Sequence, residues 1–238
     1  MTAVIARIAA GLALLLSAVP AALAQHPAQA ERPGDHAIGD PDAPLTIVEY
    51  ASFACPHCAH FQEAVWPTVK ADFIDTGRVR WVFRPILTNP VQLAAASTIL
   101  AECAADDRFF EAADLLFERQ HDIFETARAG GDVLGAYNDI AGEVGLTPED
   151  FSACLQDPAM NQALNDMAQQ AAEYEIPGTP SFVVGDDVLI ATTRAQGAYF
   201  YYGDEPLEIN GERVAGQMDG DSFSRIVLHF LNESDSEN

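Results

Sequence analysis

Apolar and polar positions along this chain fall into blocks of different period, and the blocks predict strands alternating with helices. Leu45-Thr46-Ile47-Val48-Glu49-Tyr50-Ala51 is an almost unbroken β-favouring run and predicts a buried strand. Phe61, Val65, Val69 and Phe73 then recur every fourth residue, which marks one face of a helix that Pro67 should kink. Gly77 ends that helix, and Val79 to Phe83, set among Arg78, Arg80 and Arg84, predicts a second strand stopping at Pro85. Strand, helix and strand in that order imply a parallel crossover unit.

Asn89-Pro90 reads as an N-cap with its proline, opening a helix to about Cys103. Helical periodicity continues to about Tyr174, through Arg108 to Arg119, Val133 to Val144, and starts at Thr147-Pro148 and Asp157-Pro158. Strand character returns at Ser181 to Val184, and Asn210-Gly211 between two short β-favouring runs signals a two-residue hairpin turn. Phe223, Ile226, Val227, Phe230 and Leu231 form the stripe of a closing amphipathic helix behind Asp221. The pattern is an α/β sheet interrupted by a helical insertion: a first half at 38–89, the insertion at 90–176, a second half at 177–232 and an acidic tail at 233–238. Residues 25–37 lack periodicity and predict a leader crossing the surface, with order beginning near Ile38.

Arg7, the apolar run Ile8 to Leu16, Pro20 and Ala22-Leu23-Ala24 read as a signal peptide cleaved after Ala24, which places the mature chain in the periplasm. A membrane anchor is the competing reading, but the segment is short and ends in small residues rather than a basic stop. The formal charge of -24, with Lys70 the single lysine, argues against nucleic acid as a partner and otherwise describes a solvated acidic surface. All four cysteines follow the signal, and an even count in an oxidising compartment permits two disulfides.

The chemistry concentrates in Cys55-Pro56-His57-Cys58, two thiols one helical turn apart directly after the first strand. The sulfur that opens a helix lies among unpaired N–H groups at the positive end of the dipole, where a thiolate is favoured, so Cys55 is the expected reactive sulfur. Cationic imidazole at His57 would add to that preference. Cys55, His57, Cys58 and His60 could be read as a metal cluster, but no second ligand pair follows, and neither a metal nor another cofactor is expected.

Val48-Glu49-Tyr50-Ala51-Ser52-Phe53 leading into Cys55-Pro56-His57-Cys58, the helical block after the second strand, and Gly178-Thr179-Pro180-Ser181-Phe182 before the returning strands occur in that order. Together they resemble the DsbA family of exported thiol-disulfide oxidoreductases over nearly all of the mature chain. The resemblance implies a thioredoxin-like fold with an inserted helical domain. It implies a cis Thr179-Pro180 bond whose loop faces the dithiol and holds an extended substrate backbone, although an ordinary turn proline is the alternative. It implies that Glu49 exchanges a proton with the shielded Cys58; a strand-edge glutamate reaching solvent is the other reading. It also implies an oxidising direction, with reduced or unfolded exported proteins as substrates, a membrane quinone-linked partner for reoxidation, and a monomer.

Cys103 and Cys154 are expected to form a structural disulfide stapling the insertion, with two unpaired buried thiols as the alternative. The chain departs from the simplest family pattern in an extra segment at 186–206, which bears on partner choice rather than on dithiol chemistry. Its aromatic run Tyr199-Phe200-Tyr201-Tyr202 could line a peptide groove or serve cross-strand packing. A disulfide isomerase or reductase, and a non-catalytic peptide-binding chaperone, are the alternatives to an oxidase.

Overall fold

The computed structural model describes residues 31–104 and 108–236, so the expected signal segment 1–24 and leader residues 25–30 lie outside the described residues. Strand β1 (His36–Ile38) lies antiparallel to β3 (Val79–Pro85), and β2 (Leu45–Ala51) lies parallel to β3 on its other side. The leader is therefore not merely a surface passage, since His36 to Ile38 supplies the edge strand. Its anchor is polar. Asp35 accepts from Arg84 Nε at 2.9 Å and Nη2 at 2.6 Å, while Arg84 Nη1 donates to the Tyr50 hydroxyl at 2.9 Å. Arg84 is accordingly buried.

The crossover is helical but broken. Helix α1 (Pro56–Ala64) ends before Val65, α2 (Trp66–Val69) restarts with Pro67 in its first turn, and a π-helical turn covers Lys70–Ile74. Proline lacks the N–H and crowds the preceding turn, so a break just ahead of Pro67 replaces the expected kink. Phe61, Val65, Val69 and Phe73 are nevertheless all buried. Gly77, at φ +73°, turns the chain so that the Arg78 N–H reaches the Phe73 carbonyl at 2.9 Å.

The insertion contains α3 (Val91–Glu102), α4 (Phe109–Glu118), α5 (Gln120–Arg128), α6 (Val133–Glu143), α7 (Pro148–Gln156) and α8 (Pro158–Glu173). Thr147 and Asp157 cap their helices through side-chain oxygens, as their Thr-Pro and Asp-Pro pairs predict. At α3 the cap is Pro90 rather than Asn89: the Asn89-Pro90 bond is cis, Pro90 is extended, and its carbonyl accepts from Leu93 and Ala94. Cys103, just past α3, is disulfide-bonded to Cys154 in α7, with Cα atoms 6.6 Å apart.

Strand β4 (Ser181–Val184) returns antiparallel to β2. The extra segment widens the sheet through β5 (Asp187–Arg194), β6 (Gly197–Tyr202) and β7 (Glu205–Pro206), giving the order β1-β3-β2-β4-β5-β6-β7. Phe200 and Tyr201 are buried, so much of the aromatic run serves packing. Asn210 and Gly211 both take positive φ in the turn between β8 (Glu208–Ile209) and β9 (Glu212–Arg213). Helix α9 (Gly220–Ser236) covers the sheet with the predicted stripe, all five of whose residues are buried. Asp219, not Asp221, bonds its first turn, accepting from the Ser222 N–H at 2.8 Å, and the helix runs into the expected acidic tail as far as Ser236.

Among the described residues the apolar side chains gather in three clusters: one under α1, α2 and α9, one on the opposite sheet face, and one inside the insertion. Cys55 and Cys58 belong to the insertion's cluster, beside Phe53, Phe83 and Phe117. No helix among the described residues is long and apolar enough to cross a membrane.

The Cys103–Cys154 bond closes a loop of 51 positions, worth about 4 kcal/mol in the chain-entropy description. Serine at both positions is expected to lower unfolding free energy by about 2–4 kcal/mol. Denaturant titration of both forms checks this; equal midpoints would show that the bond adds nothing to the fold.

Candidate active site

Strand β2 ends at Ala51, and the next four residues turn the chain so that Cys55 becomes the N-cap of α1. Ser52 builds that turn. Its carbonyl accepts from the Cys55 N–H at 3.0 Å, and its buried hydroxyl meets the Ala54 N–H at 3.2 Å, the Thr88 N–H at 3.3 Å and the Thr88 hydroxyl at 2.9 Å. Pro56 follows within the first helical turn, where its missing N–H costs nothing. The Cys55 carbonyl accepts from Cys58 at 3.1 Å and Ala59 at 3.2 Å, which winds the first turn and brings Cys58 underneath.

The two sulfurs are free thiols in unequal settings. Cys55 is pulled down from an ordinary 9.0 to about 5, first by a hydrogen bond from the Cys58 thiol and then by Thr179 and the backbone N–H groups of Cys58 and His57, which together outweigh burial. As a thiol, Cys55 donates to the Thr179 carbonyl at 3.3 Å; as a thiolate it can only accept, and the Thr179 side chain then supplies the donor. Cys58, 1 % exposed, is pushed well above the ordinary value by burial and by the Cys55 charge, against a single N–H from Ser52 at 3.5 Å. Once both sulfurs are free, the negative charge rests on Cys55 and the proton on Cys58.

Glu49 sits below this pair, 1 % exposed. Burial raises its carboxyl from 4.5 to about 8, only partly offset by the Trp81 indole N–H at 3.2 Å. The strand-edge alternative, a glutamate reaching water, is therefore not what the structure shows. Glu49 is opposite Phe83 in the parallel pairing, so Trp81 is two residues away on the same face of the next strand.

Thr179 and Pro180 stand against Cys55, and their peptide bond is cis. His57 is in the first turn of α1 with an exposed side chain, and the donor it turns toward the sulfur is its backbone N–H. Ser52, Thr88, Trp81 and Gln120 were not anticipated. Trp81 was within reach of the pattern, because a parallel crossover sets alternate residues of the two strands on one face; the others carry no spacing signal.

A dithiol at a helix N-terminus, facing a cis-proline loop at the end of a mixed sheet, defines a thioredoxin-fold dithiol protein. The chain belongs to the thioredoxin family, whose model matches residues 31–197. A Rickettsia bellii protein carrying the provisional name protein-disulfide oxidoreductase is 31 % identical over 157 residues, 63 % of this chain and 56 % of its own. Disulfide bond formation protein D of Bacillus subtilis is 29 % identical over 165 residues, 66 % and 70 % of the two chains. Among solved structures, α-DsbA1 of Wolbachia pipientis superposes with a TM-score of 0.65 at 22 % identity, over 87 % of this chain and 96 % of that one. The chain spans about half the length of the curated Rickettsia relatives it matches.

A carboxyl whose folded value is raised binds its proton more tightly folded than unfolded. Glu49 thus contributes stability that is complete below 4.5 and is lost as pH climbs through about 8. The gap corresponds to about 5 kcal/mol. In the oxidised protein, where the two thiols do not titrate, unfolding free energy should fall between pH 5 and pH 8, and Glu49→Gln should remove most of that fall. Parallel slopes for parent and variant would show that Glu49 is ionised throughout.

Proposed function

We propose that this chain is an exported thiol:disulfide oxidoreductase that donates its Cys55–Cys58 disulfide to reduced or unfolded exported proteins. The observation that carries this reading is the inequality of the two sulfurs, one held at about 5 and the other raised by burial. The names of the Rickettsia and Bacillus relatives agree with it.

A substrate thiolate attacks the Cys55 sulfur; the substrate–Cys55 bond forms and the Cys55–Cys58 bond breaks, its electron pair leaving on Cys58. Cys58 is too buried to keep that charge, and Glu49, holding a proton up to about pH 8, supplies one directly or through water. A second substrate thiolate then attacks the substrate sulfur of the mixed disulfide, closing the substrate's disulfide and releasing Cys55 as a thiolate. Two electrons have moved to the protein. Thr179 and Pro180 hold the substrate backbone beside Cys55, and His57 contributes its N–H at the thiolate. Reoxidation passes the same two electrons to a membrane quinone-linked partner, and the chain acts as a monomer.

Each unit by which the Cys55 thiolate is favoured is worth about 1.4 kcal/mol, or about 30 mV for a two-electron couple. The pair should therefore equilibrate with glutathione as a strong oxidant. Cys55→Ser should abolish oxidation of a reduced model substrate, and Cys58→Ser should accumulate mixed disulfides on Cys55. A potential as low as that of thioredoxin would point to a reductase, and undiminished activity of Cys55→Ser to a peptide-binding chaperone.

A further inference from the structure

Gln120 is the one buried polar side chain of the insertion that reaches across to the dithiol turn among the described hydrogen bonds. It opens α5, is 5 % exposed, and directs its side-chain nitrogen at two backbone carbonyls: Phe53 at 2.8 Å and Cys55 at 3.1 Å. Between those carbonyls the chain makes the turn that presents the reactive sulfur. Nothing in the dithiol chemistry above uses this contact, and no spacing in the sequence signals it.

Its geometry is that of a clamp. An amide nitrogen has two hydrogens, one for each carbonyl. The Cys55 carbonyl already accepts the N–H groups of Cys58 and Ala59, so Gln120 fixes the same peptide plane that starts α1. With that plane fixed, Cys55 keeps its extended backbone, ψ 118°, and its sulfur faces the N–H groups of His57 and Cys58. One turn earlier, Phe117 of α4 packs on Phe53 with ring centroids 4.9 Å apart, so the insertion grips the turn by a ring and by an amide. Without the amide, the buried Phe53 carbonyl would lose its side-chain donor and rotate toward another, and the turn that carries the sulfur would shift with it, while the Cys55 carbonyl would keep only the helix N–H groups.

The geometry points to Gln120 as a positioning residue through which the insertion sets the oxidising strength of Cys55–Cys58: the amide holds the Phe53 and Cys55 carbonyls so that the cysteine sulfur faces the helix N–H groups. This inference rests on the dithiol reading above and deepens it. The insertion is then part of the redox centre and not only a cover beside it.

The test uses the full mature chain with Gln120→Met, which keeps length and removes the donors, and Gln120→His, whose ring N–H reaches nearly as far. Thiolate absorbance near 240 nm gives the Cys55 titration midpoint, and a glutathione series gives the redox equilibrium. Gln120→Met is expected to raise the midpoint by about one unit and to lower the equilibrium constant for oxidising glutathione about tenfold, with Gln120→His between it and the parent. Thermal unfolding of both redox forms separates positioning from scaffolding, because positioning predicts a loss concentrated in the reduced form. Should Gln120→Met fail to fold, the same three readouts on Gln120→His decide. A midpoint matching the parent, with equal losses of stability in both redox forms, would overturn the role of Gln120 while leaving the dithiol reading intact. A parent that does not exchange with glutathione at all would overturn that reading itself.

Discussion

The structure turns on how differently it treats two sulfurs one helical turn apart. Cys55 has donors converging on it from the Cys58 thiol, from Thr179 and from the start of α1, whereas Cys58 lies in the insertion's apolar cluster with one distant N–H. Hydrogen bonds to a charged group are each worth roughly 1.5–3 kcal/mol. The long-range field of the protein opposes them: a thiolate on a chain of formal charge -24 meets repulsion from every acidic face. Distance decides the contest. One unit charge 10 Å away in water repels by about 0.4 kcal/mol before screening, and salt at physiological strength screens over about 8 Å. A few donors in contact therefore outweigh many remote carboxylates.

The same accounting explains why a carboxyl lies beneath the site. An ionised Glu49 would add a second negative charge to that of Cys55, near Cys58, in a region buried by the sheet and the helices. Trp81 is a neutral partner, able to donate one hydrogen bond but not to offset a charge, so the proton stays on the carboxyl into the neutral range. A buried acid that keeps its proton is a poor contributor to stability at neutral pH and a good proton source for a thiolate formed beside it. Stability and chemistry pull Glu49 in opposite directions, and that conflict is what a site carved into a core predicts.

Much of this was legible in the chain. The parallel crossover, the insertion, the closing stripe and the hairpin at Asn210-Gly211 each rest on a period or a turn signal that local sequence carries, and the structure places each where expected. The failures share a cause. Asn89, Asp221 and the leader were read from local rules, while the outcome was set by distant partners or by a neighbouring residue with the same chemistry: Pro90 takes the cap itself, Asp219 reaches the Ser222 N–H, and Asp35 is drawn in by Arg84. Pro67 breaks the helix outright because it has no N–H to continue the ladder and crowds the turn before it. In the site, the residues named by spacing came together, whereas the side chains of Ser52 and Gln120 bind chiefly backbone groups, for which side-chain pattern has no alphabet.

That distinction bears on why a helical insertion belongs in this fold at all. A dithiol at the end of β2 needs its turn held from two sides, because the sheet supports only the strand leading in. Ser52 and Thr88 hold the lower side through hydrogen bonds of 2.9 and 3.3 Å, and the upper side falls to whatever packs over α1. Phe117 and Gln120 fill that place, one giving contact area and the other direction. Hydrogen bonds of 2.8 and 3.1 Å lose most of their strength with well under an ångström of displacement. A clamp so sensitive is useful only if its carrier is rigid, and the Cys103–Cys154 bond ties the end of α3 to α7 within the same apolar cluster that contains both reactive sulfurs. One pair of cysteines thus stiffens the frame in which the other pair does chemistry.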